Sequence, residues 1–336
     1  MTSLLPHRAI HGALGFACWC AVATAITGTL PRAAAAQSWP AQPVRVLVPF
    51  AAGNVLDAML RTMGERSREL TGQPFVVEAR PGAGGIVAAQ ALINAKPDGY
   101  TVLLATQGML AINPHIYRKL PYDPVRDFAL VSEVTTSPML LATHPSVPAR
   151  TMAEFVAWAQ ANKGKVSYGS IAPGTISHFL SETINFDHAT AMTHVPYKGT
   201  PALLPDLLGG RIQAAFVSVD TVRSQVQSGK LNALLLSGTG RDASLPAVPT
   251  AREAGYPRLE AFAWSGFVVP PGTPESAINA LAELTRKIVA TPEVAARVRQ
   301  LGLELVGSTP AEFVTRTRTE SEKWSSIVKA SGFSAD

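Results

Sequence analysis

Short apolar runs alternate along the chain with segments of helical spacing. Val44 to Val48 is β-branched and apolar, and Pro49 to Gly53 breaks it. From Asn54 to Leu70 the apolar residues Leu56, Leu60 and Met63 recur at helical intervals, which predicts a helix. Phe75-Val76-Val77 predicts a second strand, ended by Pro81 to Gly85. An Ala-rich stretch to about Ala95 predicts a short helix, and after the Asp98-Gly99 turn Thr101 to Ala105 predicts a third strand. That βαβαβ order implies a parallel sheet with helices on its faces.

The middle of the chain repeats the scheme. Thr151 and Glu154 form a capping box for a helix to about Asn162. Strands are expected at Val166–Gly169, Met192–Pro196, Ala214–Val219 and Leu231–Leu236. Gly174 begins a loop-to-helix step, and Thr200-Pro201 opens a helix that ends at Gly209-Gly210, with Pro205 removing one backbone bond inside it. The C-terminal third reads as helical. Thr273-Pro274, Thr291-Pro292 and Thr309-Pro310 each look like an N-cap followed by proline at the first helical position, and Glu312 completes a capping box. Ala129–Thr143 and Ala261–Pro271 are long, apolar and extended, and they read as strands passing between two lobes. The expected architecture is α/β with two lobes, residues 37–139 plus 264–336 and residues 140–263, joined by two crossings.

Composition narrows the class. A chain of 336 residues can bury a sizeable core, and 47% hydrophobic against 16% charged residues excludes a disordered chain. The net charge of +5 is spread along the sequence without a basic block, and aromatics are 7%, so no nucleic-acid partner is expected. Residues 1–36 differ from the rest. His7, Arg8 and His11 precede an apolar run from Gly12 to Leu30, and Ala34-Ala35-Ala36 stand before Gln37. This is the pattern of a cleavable secretory signal peptide rather than a membrane anchor, and it predicts an exported, soluble mature protein. Cys18 and Cys20 both lie in that segment, so the mature chain would carry no disulfide or thiol chemistry.

Several chemistries are missing. His115, His144, His178, His188 and His194 show no metal-ligand pairing, and His194, in an apolar strand, reads as structural. No G-x-S-x-G elbow occurs, and S-x-x-K lacks its companion motifs. Gly82-Ala83-Gly84-Gly85 fails as a dinucleotide fingerprint because Val87 stands at the third glycine. No metal or cofactor is expected. What remains is a set of strand-to-helix loops: Ala51-Ala52-Gly53-Asn54 with Asp57 one turn on, Thr106-Gln107-Gly108, Ser170 to Thr175 leading to His178, and Lys198-Gly199-Thr200. Helix N-termini carry unpaired N–H groups and positive partial charge. Such loops converging beyond the strand ends can bind an anion without arginine.

On these residues the chain resembles the periplasmic solute receptors of tripartite tricarboxylate transporters, the Bug family. The resemblance is carried by Val48-Pro49-Phe50 with Gly53 and Asp57, Pro97-Asp98-Gly99-Tyr100-Thr101, Ile112-Asn113-Pro114 and Leu120-Pro121-Tyr122-Asp123-Pro124. It continues through Gly174-Thr175 with Ser177-His178, Val195-Pro196-Tyr197-Lys198-Gly199 and Pro270 to Pro274. It implies a type II-like two-lobed periplasmic binding protein that closes by a hinge over a small carboxylate. It further implies a monomer, no enzymatic activity and delivery of the ligand to the permease subunits of a tripartite transporter. Ligand contacts are implied at Ala52, Gly53 and Asp57 in one lobe and at Ser170, Gly174, Thr175, His178 and Gly199 in the other. The strand-end loops add Asn54, Thr106, Gln107 and Ser218. A sensory receptor presenting its ligand to a membrane sensor kinase is the alternative, and a hydrolase using His178 is a distant third.

The chain departs from the family at Asn54, Val55 and Leu56, at Met109 and Leu110, and at Val217 and Ser218. Five of these seven residues are apolar, which leads to the expectation of a ligand with one carboxylate and an apolar body rather than a dicarboxylate.

Overall fold

The computed structural model describes residues 1–2 and 39–335, so the stretch read as a signal peptide, its first two residues apart, lies outside the described residues. The elements of the first part are β1 (Val44–Val48), α1 (Val55–Thr71), β2 (Phe75–Ala79), α2 (Ile86–Ile93), β3 (Thr101–Thr106) and α3 (Asn113–Ile116). The long strand β4 (Ala129–Thr143) leads into α4 (Met152–Ala161), β5 (Ser167–Ser170), α5 (Ile176–His188), β6 (Thr193–Pro196), α6 (Thr200–Leu208), β7 (Ala214–Ser218), α7 (Val219–Gln227) and β8 (Asn232–Leu236). The chain returns through β9 (Phe262–Val269), α8 (Glu275–Val289), α9 (Pro292–Gln300), β10 (Glu304–Leu305) and α10 (Pro310–Ser331).

One sheet runs in the order β2-β1-β3-β9-β4-β7-β5-β6, with β8 and β10 also paired to β4. β1 is parallel to both β2 and β3, and β5 is parallel to both β6 and β7. β4 belongs to both halves. Residues Ala129 to Pro138 pair with β9, and Met139 to Thr143 pair with β7. Pro138 stands opposite Phe262, so the two long apolar segments cross between the lobes side by side.

Burial follows the two-residue period of the strands. Val44, Val46 and Val48 pack with Met59, Leu60 and Met63 of α1 and with Leu281 and Ile288 of α8. Leu47 points to the other face and joins a core that spans both lobes, with Leu103, Phe155, Tyr168, Phe179 and Trp324. A separate cluster under the second lobe holds Leu140, Leu203, Leu207, Val217 and Val222. α10 crosses both halves: Phe313 packs edge-on against Trp264 of β9, and Trp324 lies against Phe179 of α5.

The caps match the motifs in two places out of three. Thr309 and Glu312 form a reciprocal capping box, and Thr291 precedes Pro292 at the start of α9. At the third, Pro274 is itself the cap and α8 begins one residue later, because the Thr273 hydroxyl turns back to the Pro270 carbonyl at 2.8 Å. Two elements carry no local signal. β10 is two residues long and exists by pairing with Thr135 and Thr136. Residues Gly108–Ile112 form a π-helical turn.

Candidate functional site

The loops singled out in the sequence leave the C-terminal ends of parallel strands, where a crevice forms in open α/β sheets. After β1 the chain turns at Gly53, whose φ of +83° lies in the left-handed region, and Asn54 caps α1. The Asn54 Oδ1 accepts from the N–H groups of Leu56 at 2.8 Å and Asp57 at 3.2 Å. Asp57 is buried, and its Oδ2 accepts from Gly53 N at 3.2 Å and from Arg61 Nε at 3.1 Å. Asp57 therefore fixes the loop from behind. Ala51, Ala52 and Gly53 stay exposed, and no atom lies within 4 Å of where a Gly53 Cβ would stand.

After β3, Thr106 is half-buried and its hydroxyl accepts from Met109 N at 3.4 Å. Gln107 turns inward, with Nε2 donating to Glu320 of α10 at 2.6 Å. The π-helical turn is held by a small network. Tyr122 donates to the Met109 carbonyl at 2.9 Å, and Asn113 Nδ2 donates to Tyr122 Oη at 3.0 Å and to the Gly84 carbonyl at 3.1 Å. Burial pushes the Tyr122 phenol well above its ordinary pKa. π-Helical turns concentrate at functional sites, and in this one a Cβ on Gly108 would stand 3.8 Å from the Gly174 carbonyl oxygen.

On the second lobe, Gly174 (φ +74°) leans on the first: a Cβ there would stand 2.4 Å from Ile116 Cδ1. Thr175 donates its hydroxyl to the Ala172 carbonyl at 2.7 Å and lies 2.9 Å from Ser177 Oγ, which accepts from Ile171 N at 3.0 Å. Gly199 N donates to the Ile171 carbonyl at 2.8 Å, which ties the third loop to the second. Three adjacent parallel strands, β7, β5 and β6, each lead into a helix here; Gly199 has no side chain to cap with, and the Ser218 and Thr175 hydroxyls accept no backbone N–H of the first helical turn. By contrast α1, α4 and α10 are capped by Asn54, Thr151 and Thr309. The second-lobe edge thus presents three helix N-termini without a side-chain N-cap bond.

Ser170 and His178 are placed behind that edge. Ser170 is fully buried, with Oγ 2.7 Å from His194 Nε2. His178 is buried, its Nδ1 accepts from Gly174 N at 3.3 Å, and its ring stacks on His194 with centroids 3.9 Å apart. Burial, with His194 beside it, pushes His178 down to about 3, and burial pushes His194 down to about 4. Both rings are neutral near pH 7 and support the loop as packed rings. The Ser170–His194 pair makes no triad, since the serine is enclosed and the imidazole is a weak base. Among the described residues no group of three or more His, Cys, Asp or Glu could hold a metal ion.

The apolar departures also find their places. Met109, Leu110 and Val217 are buried in the core, Leu56 is half-buried, and of the five only Val55 is well exposed, at 40%. Met109 fills the space beside Gly85, where a Cβ would stand 2.5 Å from its sulfur. Three of the five thus serve packing, which removes most of the ground for expecting an apolar-bodied ligand.

The fold and these facing loops define a two-lobed solute-binding protein. Residues 59–333 match the model of the tripartite tricarboxylate transporter family receptor, and the chain belongs to that family of periplasmic solute receptors. It is 32% identical over 308 residues to the UPF0065 protein in the tcbD-tcbE intergenic region of Pseudomonas sp. strain P51, covering 91% of each chain. It is similar in structure to R. palustris Rpa4515 with adipate (TM-score 0.80, 29% identity, 88% of this chain and 99% of that one). It is also similar to MatC (Rpa3494) from Rhodopseudomonas palustris with bound malate (TM-score 0.76, 28% identity, 86% and 100%).

Proposed function

We propose that this protein is a periplasmic receptor that captures a small organic acid between its lobes and delivers it to the membrane permease of a tripartite-type transporter. The observation that carries this is the row of three helix N-termini at the ends of β7, β5 and β6. A carboxylate placed there meets the positive ends of helix dipoles, and on α5 it meets leading N–H groups that the Thr175 side chain does not cap. The lobes are residues 37–139 with 264–336 and residues 140–263, and the hinge lies where β4 and β9 pass at Pro138 and Phe262. Ala52, Gly53, Asn54 and Thr106 approach the ligand from one side and Gly174, Thr175, Gly199 and Ser218 from the other. Asp57, Gln107, Ser170 and His178 set the loops. Closure follows only if the ligand binds the closed state better than the open one.

Adipate and malate in the two similar structures are both dicarboxylates, and with Met109, Leu110 and Val217 in the core nothing here argues against a second carboxylate. Native mass spectrometry of freshly purified protein, followed by a thermal-shift panel, tests the function: short aliphatic mono- and dicarboxylates should raise the melting temperature by mass action. Stabilisation by sugars or cations but by no acid would refute it.

The loop geometry gives a second expectation. Asp57→Ala leaves Gly53 N and Arg61 without their shared acceptor, and Thr175→Val removes the shorter of the two hydroxyl bonds to the Ala172 carbonyl, leaving that from Ser170, and ends the contact with Ser177 Oγ. Each should weaken binding of the acid by roughly tenfold, about 1.4 kcal/mol. Calorimetry that finds wild-type affinity in both variants would place the ligand elsewhere.

A further inference from the structure

One carboxylate oxygen under α10 joins the loops of the two lobes. Glu320 is buried, and its Oε2 accepts from Gln107 Nε2 at 2.6 Å and from Trp324 Nε1 at 2.9 Å. Its Oε1 lies 3.8 Å from Arg316 Nη1, and Arg316 Nε lies 4.0 Å from Glu133 Oε2. Gln107 follows β3 directly, and Gly108 after it faces the Gly174 carbonyl of the other lobe. On the far side of Glu320, the Trp324 ring packs on Phe179 with centroids 6.2 Å apart, and Phe179 packs on His178 at 4.8 Å. His178 then accepts the Gly174 N–H. Phe333, beyond the end of α10, meets His178 edge-on at 4.6 Å. The contacts leave one crevice loop, cross α10 and return to the other.

A carboxylate is a costly way to fill a buried seam, because it must be desolvated and then fully paired. An apolar side chain would pack α10 as well. What Glu320 adds is direction: bonds to an ionised acceptor are short and hold their donors in place. Gln107 and Trp324 share one oxygen, so neither can turn without loosening the other. We propose that Glu320 is a positioning residue for the ligand crevice, setting the loop after β3 and, through Trp324 and α5, the Gly174 loop to one geometry. The proposal rests on the receptor function above.

Its first test needs no ligand. Hydrogen exchange should be followed on the full chain for wild type, Glu320→Ala, Glu320→Gln and Trp324→Phe, with melting temperatures alongside. Glu320→Ala should speed exchange of the Gly174 to Phe179 amides at least tenfold, while amides of β1 and α8 keep their rates. Glu320→Gln, which retains an oxygen for both donors, should restore most of the protection. Trp324→Phe, which keeps a ring but removes the N–H, should speed exchange at the same amides, and it decides the matter if Glu320→Ala does not fold. Faster exchange confined to α10 and Gln107, or a uniform rise across the chain, would overturn the proposal. A second arm titrates adipate and malate calorimetrically. Should either acid bind wild type, Glu320→Ala must weaken it tenfold with Glu320→Gln nearer wild type, and unchanged affinity would overturn the positioning role. Should neither acid bind, that result bears on the choice of ligand, and the exchange arm still decides the linkage.

Discussion

Gly266→Ala is expected to destabilise the protein by about 3 kcal/mol, at the upper end of what overpacking a core costs. Gly266 lies in β9 between Ala105 of β3 and Glu133 of β4. A Cβ there would stand 2.3 Å from Phe313 Cζ and 2.6 Å from the Ser132 carbonyl oxygen. The ring cannot simply swing away, because Phe313 is fully buried against Trp264. The carbonyl belongs to β4, the strand that both lobes share. Relief would have to move the α10 contact or the pairing of β9 with β4. Gly240→Ala is the control, since its Cβ meets nothing within 4 Å and the site is exposed. Urea unfolding should separate the two variants clearly, and equal midpoints would show that β9 yields more easily than its contacts indicate.

The second large effect is a loss of stability in mild acid, centred on the stacked imidazoles of His178 and His194. Their folded-state pKa values of about 3 and about 4 lie below the unfolded value, so the unfolded chain takes up protons first as pH falls. The stabilisation is complete above about pH 6.5 and is lost on acidification toward the folded values, at up to about 1.4 kcal/mol per pH unit for each ring that is fully sequestered. His194 is only half-buried and contributes the smaller share. Around the pair stand Tyr168, whose phenol is bonded to Glu182, and Glu182 itself, 4.0 Å from His178 Nε2. That carboxylate offsets part of the cost of a charged His178 without removing the repulsion between two stacked cations. Denaturant titrations at pH 7, 6 and 5 should show stability falling steeply in wild type and less steeply in His178→Gln. Parallel pH slopes in the two proteins would exclude the stack as the cause.

Local chemistry made much of the fold legible. The apolar run Val44–Val48, the three- and four-residue spacing of Leu56, Leu60 and Met63, and the capping boxes at Thr151 and Thr309 each act within one turn or one strand. Such signals survive without knowledge of neighbours. The long extended segments from Ala129 and Ala261 were legible for the same reason, since no helical period runs through them. The crevice loops could be found because glycine and cap residues mark where strands end.

What each loop side chain does was settled by distant partners. Gln107 reads as a strand-end amide facing a ligand, yet Glu320, 213 residues away, claims it. His178 sits one turn into a helix at the crevice, yet His194 and Phe333 enclose it. Met109, Leu110 and Val217 read as an apolar crevice lining until α2, β4 and the core take them in. β10 exists only as a partner for β4, and the turn at Gly108–Ile112 is π-helical where Tyr122 and Asn113 hold its carbonyls. The sequence by itself determined the alternation of strands and helices, their caps and the loops at the strand ends, because those follow from interactions a few residues long. The tertiary structure alone decided which of those loop residues stay exposed at the strand ends and which are buried behind them. A side chain's hydrogen-bond partner and burial depend on what the folded chain brings alongside it, and no local pattern encodes that.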